Sequence, residues 1–494
     1  MSNASKPGST VDQSEDARLL ALGYRPEFRR VLGLFADFSL GYSYMSPMAG
    51  VFALFATAMI AAGPPFFWTM LAVLAGQVFV CLVFAEAASA YPIAGGIYQW
   101  ARRLGGERWG FLTAWMYLFA LVGTGAGIAA GGAPFLAIIL DVPVSPQFNA
   151  LAGISIAMIA ILANFAGTRV LAKLTEIGVW AGLIGLGICG GYMLIFGHVQ
   201  PISILWDNFG RGDGNYTAAL FFASLIGVWI FYGFEACGDL AEEVSGASKA
   251  VPRAMLLTIV CGGGSALLMT LGLLLAVPDI SAAADGSLAD PIGAALLQVM
   301  GPLGMKLTLV CLLAVVVSAV TSVIASASRL FFSLGRDNMI VGASVLGRLS
   351  TRRRQPVAAL WATAVTTLLI LSIGFVSSNA ATQIISFTTT GIYLSFQMVV
   401  IVSLIASLRG WRPDGDFRLG ASAIVVKCIA LLFGVASIIN LAWPRTPEAG
   451  WLSNWLIVIS IGVIMVLGLI QMLTLDMTPS VQTGPEAGSQ DACR

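Results

Sequence analysis

Charged residues in this chain fall between long stretches that carry none. No charge occurs from Phe38 to Ala85, from Trp109 to Leu140, or from Val142 to Thr168. The block from Gln355 to Leu408 is also charge-free and long enough for two spans. A bilayer-spanning helix needs roughly 20 apolar residues, each rising about 1.5 Å. Dividing the blocks at polar and Gly/Pro breaks predicts twelve helices: 31–58, 65–100, 109–140, 149–166, 175–197, 216–241, 254–277, 303–332, 357–376, 383–408, 421–443 and 452–474. The period-two alternation of barrel strands is absent from the sequence.

Two of these helices carry interruptions. "GYSYMSPMAG" (Gly41–Gly50) sets a proline, small residues and hydroxyls into the first span. "WIFYGFEACGDLAEEV" (Trp229–Val244) sets glycines and acids into the sixth. Backbone that leaves the helix inside a bilayer must be surrounded by protein or line a cavity. Paired breaks in two halves of a chain mark the binding site of many secondary transporters. Freed N–H groups at a half-helix start attract negative charge, and freed carbonyls at a half-helix end attract positive charge. Glu235, two residues past Gly233, is an intramembrane acid, and such an acid is either a functional group or an anchor for neighbouring backbone. Glu86 lies toward one end of the second span and reads as an anchor. Asp239, Glu242 and Glu243 read as mouth residues that would pair with Lys249 or Arg253. Tyr42, Tyr44, Trp229, Phe231 and Tyr232 flank the breaks, and Trp229, one turn before Gly233, is the preferred gate.

Composition agrees with a membrane assignment: 58% of the 494 residues are hydrophobic and 10% charged, against about a quarter charged in a soluble chain. The basic residues add orientation. With the N-terminus inside, cytoplasmic segments receive Arg18, Arg25, Arg29, Arg30, Arg102, Arg103, Arg108, Arg169, Lys173, Lys249, Arg253, Arg329, Arg336, Arg352 to Arg354, Arg409, Arg412 and Arg418. Arg211, Lys306 and Arg445 fall outside. That asymmetry predicts both termini in the cytoplasm and an even number of spans. The polar first thirty residues predict no cleavable signal peptide, and the tails near 1–16 and 477–494 read as disordered. The seven cysteines are dispersed, without a CxxC pair, and read as buried thiols. "GGG" at Gly262–Gly264 reads as a close helix contact. Metal motifs, phosphate loops and a nucleophile–base pair are absent from the sequence. No metal, cofactor, nucleic-acid partner or enzymatic activity is expected.

Longer motifs then point to a family. "FAEAASAYPIAGGIYQWARRLGG" (Phe84–Gly106) resembles the signature of amino acid–polyamine–organocation (APC) permeases at the end of helix two. "GFEACGDLAEEVSGASKAVPRAM" (Gly233–Met255) resembles their helix-six segment, "SASRLFFSLGRDNMI" (Ser326–Ile340) their helix-eight exit and "QPVAAL" (Gln355–Leu360) the start of helix nine. "LLALGYRPEFRR" and "FSLGYSYMSPMAG" look most like the amino acid/choline branch, which includes 4-aminobutyrate (GABA) and choline permeases. The resemblance implies an all-α membrane protein of twelve transmembrane helices with a LeuT-like 5+5 inverted repeat plus two additional helices. It places a tail at 1–30, the repeats at 31–197 and 216–408, helices eleven and twelve at 421–474, and a second tail at 475–494.

It further implies alternating access in a multi-pass protein of the cell (inner) membrane. Carried over by position, substrate would meet Ser43, Tyr44, Met45, Ser46 and Gly50 of helix one and Phe231, Tyr232, Gly233 and Glu235 of helix six, with Trp229 as the gate. Ser318, Thr321 and Ser322 of helix eight are candidates for a sodium site, or helix-packing hydroxyls. Many relatives have a glycine-rich helix-one run whose N–H groups grip a carboxylate. Pro47 in Ser46-Pro47-Met48-Ala49-Gly50 offers no N–H, which shifts weight toward a substrate read through its cationic amine. Some proton-coupled relatives carry a lysine in helix five, where this chain has Trp180-Ala181-Gly182. The expected partners are an amino acid or small amine such as GABA, choline or a polyamine, the lipid bilayer, and a coupling ion (sodium or proton) or counter-substrate. A neutral solute such as a nucleobase or vitamin precursor, or a substrate sensor of permease ancestry, is the alternative.

Overall fold

The computed structural model describes residues 10–143, 145–212, 214–351, 354–373, 380–445 and 450–474. A short helix, α1 (Thr10–Ala21), precedes the first span, which is split into α2 (Leu34–Met45) and α3 (Pro47–Ala62). The chain continues through α4 (Phe66–Ala90), α5 (Gly96–Gly105), α6 (Glu107–Leu140) and α7 (Pro146–Ala166). The fifth span runs from α8 (Thr168–Leu183) through a wide π turn (Ile184–Cys189) into α9 (Gly190–Phe196).

The sixth span is in pieces: α10 (Tyr216–Ala223), α11 (Leu225–Ile230) and, after a break, α12 (Ala236–Asp239). Then come α13 (Ala247–Ala276), α14 (Ile280–Asp285), α15 (Pro291–Arg336), α16 (Ala343–Leu346), α17 (Val357–Ser372), α18 (Ala380–Leu408), α19 (Ala423–Ala442) and α20 (Trp451–Thr474). Among the described residues, ten helices are long and apolar enough to cross a membrane, and the shorter apolar helices Tyr216–Ile230 and Val357–Ser372 occupy the places of the sixth and ninth predicted spans.

Several boundaries differ from the pattern. The second predicted span (65–100) ends at Ala90, because Tyr91, Pro92 and the left-handed Gly95 turn the chain into the separate α5. The eighth (303–332) begins earlier, at Pro291, and bends at Gly301, where φ is 69°. Residues 10–16 of the expected disordered tail are helical in α1. The end of the ninth span, near 376, and the tail from 475 lie outside the described residues.

α15 and α6 pack against each other at the centre, with α7, α8 and α17 along α15 and α18 along α6. α13 packs on α4 and α2. Small residues permit the close approach: an added Cβ at Gly262 would meet the Met45 sulfur at 2.3 Å, and one at Gly263 the Leu74 side chain at 2.5 Å. Large apolar residues such as Leu432, Leu467 and Leu473 remain exposed on α19 and α20, as expected of a surface solvated by lipid.

Candidate functional site

The first span breaks at one residue. Ser46 adopts a left-handed conformation (φ 38°, ψ 59°) that closes α2 and opens α3. Its N–H donates to the Tyr42 carbonyl at 2.9 Å. Pro47 then occupies the first position of α3, where its missing N–H costs nothing and its fixed φ suits a helix start. The proline that made the stretch unusual is the device that restarts the helix.

The second break faces the first directly. After α11 the chain leaves the helix through Phe231 and reaches Gly233 at φ 118°. A Cβ there would lie 2.5 Å from the Met45 backbone nitrogen and 3.0 Å from the Tyr44 carbonyl carbon. Only glycine fits this contact, for both its φ and its closeness. One turn beyond the first joint, a Cβ at Gly50 would meet the Ile230 side chain at 2.4 Å. The backbone is tied below as well, where Val31 and Leu32 donate to the Glu243 carbonyl and Ser245 donates to that of Leu32.

The side chains from the breaks divide into three groups. Ser46 and Trp229, the residue expected to be the gate, line a narrow cleft of about 40 Å³ with Ala49, Gly127, Phe135 and Val316, space for a few waters and no larger solute. Tyr44, Tyr232, Phe231 and Glu235 are buried beneath it. Tyr232 meets Tyr44, Trp229 and Tyr393 edge-on, with ring centroids 5.9, 5.7 and 6.5 Å apart, an arrangement aromatic quadrupoles favour. The Tyr44 and Tyr232 hydroxyls have no hydrogen-bond partner. Ser43 belongs to neither group, since its hydroxyl turns to α8 and donates to the Thr175 carbonyl at 3.1 Å.

The helix-eight hydroxyls divide in the same way. Ser322 donates to the Leu40 carbonyl of α2 at 2.6 Å, whereas Thr321 bonds back to Val317 on its own helix. The Ser318 hydroxyl is buried without a partner, beside Gly178 and close to Ser43. The helix-five residue opposite this group is therefore Gly178, four positions before Gly182, and it too carries no base.

The acids have contrasting surroundings. Glu86 forms a buried ion pair with Lys427 at 2.7 Å and accepts the Leu419 N–H. It is an anchor, joining α4 to α19. Glu235 accepts the Gly233 N–H at 2.8 Å through one oxygen, while its other oxygen has no hydrogen-bond partner. Asp239 accepts from the Tyr117 hydroxyl at 3.2 Å, and its second oxygen is likewise without a partner. Asp37, near the start of α2, has no partner at either oxygen. All three acids are completely buried. The expected surface pairing of Asp239, Glu242 and Glu243 with Lys249 or Arg253 does not occur. Glu242 pairs with Arg336 and Glu243 with Arg329, at 2.9 and 2.8 Å, because both arginines reach in from the end of α15. Asp37, Tyr117, Tyr393 and Lys427 went unnoticed in the sequence, each being one polar residue in an apolar stretch.

This end of the bundle is shut by a larger network. Arg102 of α5 bridges Asp337 and Glu107, and the Tyr24 hydroxyl donates to Asp337. Arg18 of α1 donates to the Ser248 hydroxyl and the Ala90 carbonyl. Glu15 accepts the Ser248 N–H at 3.2 Å. Burial pushes the Glu15 carboxyl above its ordinary range, opposed by that N–H and by the charge of Arg18.

Comparison with known proteins places this helical architecture in a family. Residues 32–466 match the family model described as amino acid permease. An uncharacterized amino-acid permease of Schizosaccharomyces pombe is 25% identical over 91% of this chain and 84% of its own length. Amino-acid permease BAT1 of Arabidopsis thaliana is 25% identical over 89% of this chain and 91% of its own. Amino-acid permease 2 of Neurospora crassa is 25% identical over 92% and 87%. These relatives are transporters by name, not enzymes. The chain belongs to the amino acid permease family of the APC superfamily, multi-pass membrane proteins with a LeuT-like helical fold.

Proposed function

We propose that this permease moves an amino acid or small organic amine, such as GABA, choline or a polyamine, by alternating access around the breaks at Ser46 and Phe231–Glu235. The contact of Gly233 with the Met45 backbone carries the proposal, because it brings the two interrupted helices together at their breaks. Residues 31–197 and 216–408 would be the inverted repeats, and both termini would lie in the cytoplasm of a cell (inner) membrane protein. The cleft above Tyr232 would admit substrate past Trp229. The closed mouth of Arg329–Glu243 and Arg336–Glu242 would open to release it.

Two features favour an amine. Glu235 has no cationic side chain bonded to it, so a substrate cation would supply the missing charge. Pro47 removes one N–H that could have bound a carboxylate. The Tyr44, Tyr232 and Trp229 rings would add cation–π attraction for a desolvated ammonium.

Counterflow in liposomes, with the protein purified and loaded with amino acids, GABA, choline or polyamines, tests the reading. Exchange of a cationic amine, lost in Glu235→Gln, is expected. Binding without flux would sink the transporter reading, and flux of uncharged solutes alone would sink the amine reading.

A further inference from the structure

We propose that a pocket at the mouth end of the bundle binds the phosphate headgroup of an anionic phospholipid, and that the bound lipid favours the closed mouth. The binding site stands independently of the transporter reading, whereas its effect on the mouth rests on it. The pocket has a volume of about 300 Å³ and is walled in part by Arg29, Gly167, Arg169, Glu243, Arg354 and Gln355. Its three arginines come from separate parts of the chain. Arg29 lies in the segment before α2, Arg169 in the first turn of α8 and Arg354 in the segment before α17.

Charge decides what such a pocket can hold. Among the described residues, no carboxylate forms an ion pair with Arg29, Arg169 or Arg354. The one acid in the wall, Glu243, is already matched by Arg329 at 2.8 Å and accepts from the Thr168 hydroxyl at 2.7 Å. The start of α8 adds partial positive charge, and Gly167 at its N-cap, with φ 127°, has no side chain to cap the opening N–H groups. Guanidinium groups and helix starts both suit phosphate oxygens.

Position in the membrane decides what carries the phosphate. α7 ends at Ala166 and α8 begins at Thr168, so the pocket lies at the turn between the fourth and fifth spans. Exposed apolar side chains begin at its rim and continue along the spans. They are Leu162 of α7, Val170 of α8, and Val357 and Trp361 of α17. Phe165 and Trp361 join α7 to α17 here, with ring centroids 4.9 Å apart. A soluble anion would use the arginines alone. A phospholipid uses both surfaces, with its phosphate in the pocket and its acyl chains on the apolar strip.

The same residues tie down the mouth. Val31 and Leu32, just after Arg29, donate to the Glu243 carbonyl, and Arg354 donates to the Glu27 carbonyl at 3.2 Å. A phosphate held by all three arginines would join the segment before the first span to the starts of the fifth and ninth. A ligand that bridges elements favours the arrangement in which they stand together. Here that arrangement is the mouth closed by Arg329 and Glu243.

Thermal melting of the detergent-purified protein tests the site without any substrate. Dioleoyl phosphatidylglycerol should raise the melting temperature more than dioleoyl phosphatidylcholine does. The extra rise should vanish in the triple variant Arg29→Gln, Arg169→Gln, Arg354→Gln and persist in a control triple, Arg25→Gln, Arg108→Gln, Arg253→Gln. No extra rise in the wild type, or the same behaviour in both triples, would overturn the pocket. Glycerol 3-phosphate should have little effect, and a full rise from it alone would rule out the lipid as occupant. Should the pocket triple fail to fold, native mass spectrometry of Arg169→Gln decides: a several-fold drop in bound phosphatidylglycerol is expected, and undiminished binding would refute the site. In liposomes, an equimolar mixture of the two lipids should slow substrate exchange several-fold relative to phosphatidylcholine alone, and not in the pocket triple. Exchange unchanged or quickened by phosphatidylglycerol would sink the effect on the mouth. If the wild type exchanges no amine or amino acid in either lipid, the transporter reading falls, and the melting experiment still decides the lipid site.

Discussion

Glu86 and Glu235 are both glutamates sunk completely in apolar helices, and the protein treats them in opposite ways. Glu86 meets Lys427, which also donates to the Ser407 hydroxyl and lies against the Trp411 ring. Glu235 meets tyrosines, a glycine N–H and another acid. A buried pair with good geometry holds helices in register, and its loss exposes the cost of the remaining charge. An acid left without a cation contributes no such bond. On the function proposed above, a mobile cation completes it. Burial alone therefore does not separate anchors from working groups in a membrane protein. The partner does.

Breaking the anchored side should have the largest effect on stability. Lys427→Met leaves Glu86 buried with no cation and should cost about 3–5 kcal/mol, seen as a lowered melting temperature by fluorescence-detected size exclusion. Adding Glu86→Gln should recover most of the loss. If the double variant is no better than the single one, the pair is not the anchor.

The joint comes next. Gly233→Ala forces a Cβ into the Met45 backbone at a φ few alanines adopt, and should cost about 1–3 kcal/mol together with most of the uptake. A melting temperature and uptake equal to wild type would mean that the two breaks are not in contact.

Glu235→Gln should leave stability within about 1 kcal/mol of wild type, since it removes a charge that no side chain balances. Uptake of cationic amines should nevertheless fall at least about tenfold. A melting loss as large as that of Lys427→Met would erase the contrast between the two glutamates.

The smallest effect belongs to an acid of the third kind, Glu15 in the mouth. Its folded-state pKa is raised, so docking of α1 is favoured at acidic pH and weakens as pH rises through that raised value. Hydrogen exchange of α1 should therefore quicken with pH beyond its intrinsic dependence, and Glu15→Gln should abolish the extra slope.

Most of the fold could be read from where charges are missing, because a bilayer imposes one spacing on every helix that crosses it. The boundaries that escaped were those set by backbone geometry. Tyr91–Gly95 carries apolar and small residues that continue the hydropathy of the second span while turning the chain. The breaks were legible from Pro47 and Gly233, and so was their flanking aromatic cluster. The sorting of Ser43, Ser318 and Ser322 away from Tyr44 and Ser46 was not, because it depends on which face of α2 meets α8 and α15. Nor was the difference between Glu86 and Glu235. Lys427 lies far along the chain from Glu86, and nothing local announces that the two meet.

The fit of Gly233 against Met45 also has a bearing on how the protein is made. Helix one leaves the ribosome long before the sixth span exists. Until then the left-handed Ser46 and the buried Asp37 have none of the neighbours that the sixth span supplies to this joint. The first span must wait in the membrane as an incomplete part, and the site closes only when the second half of the chain arrives.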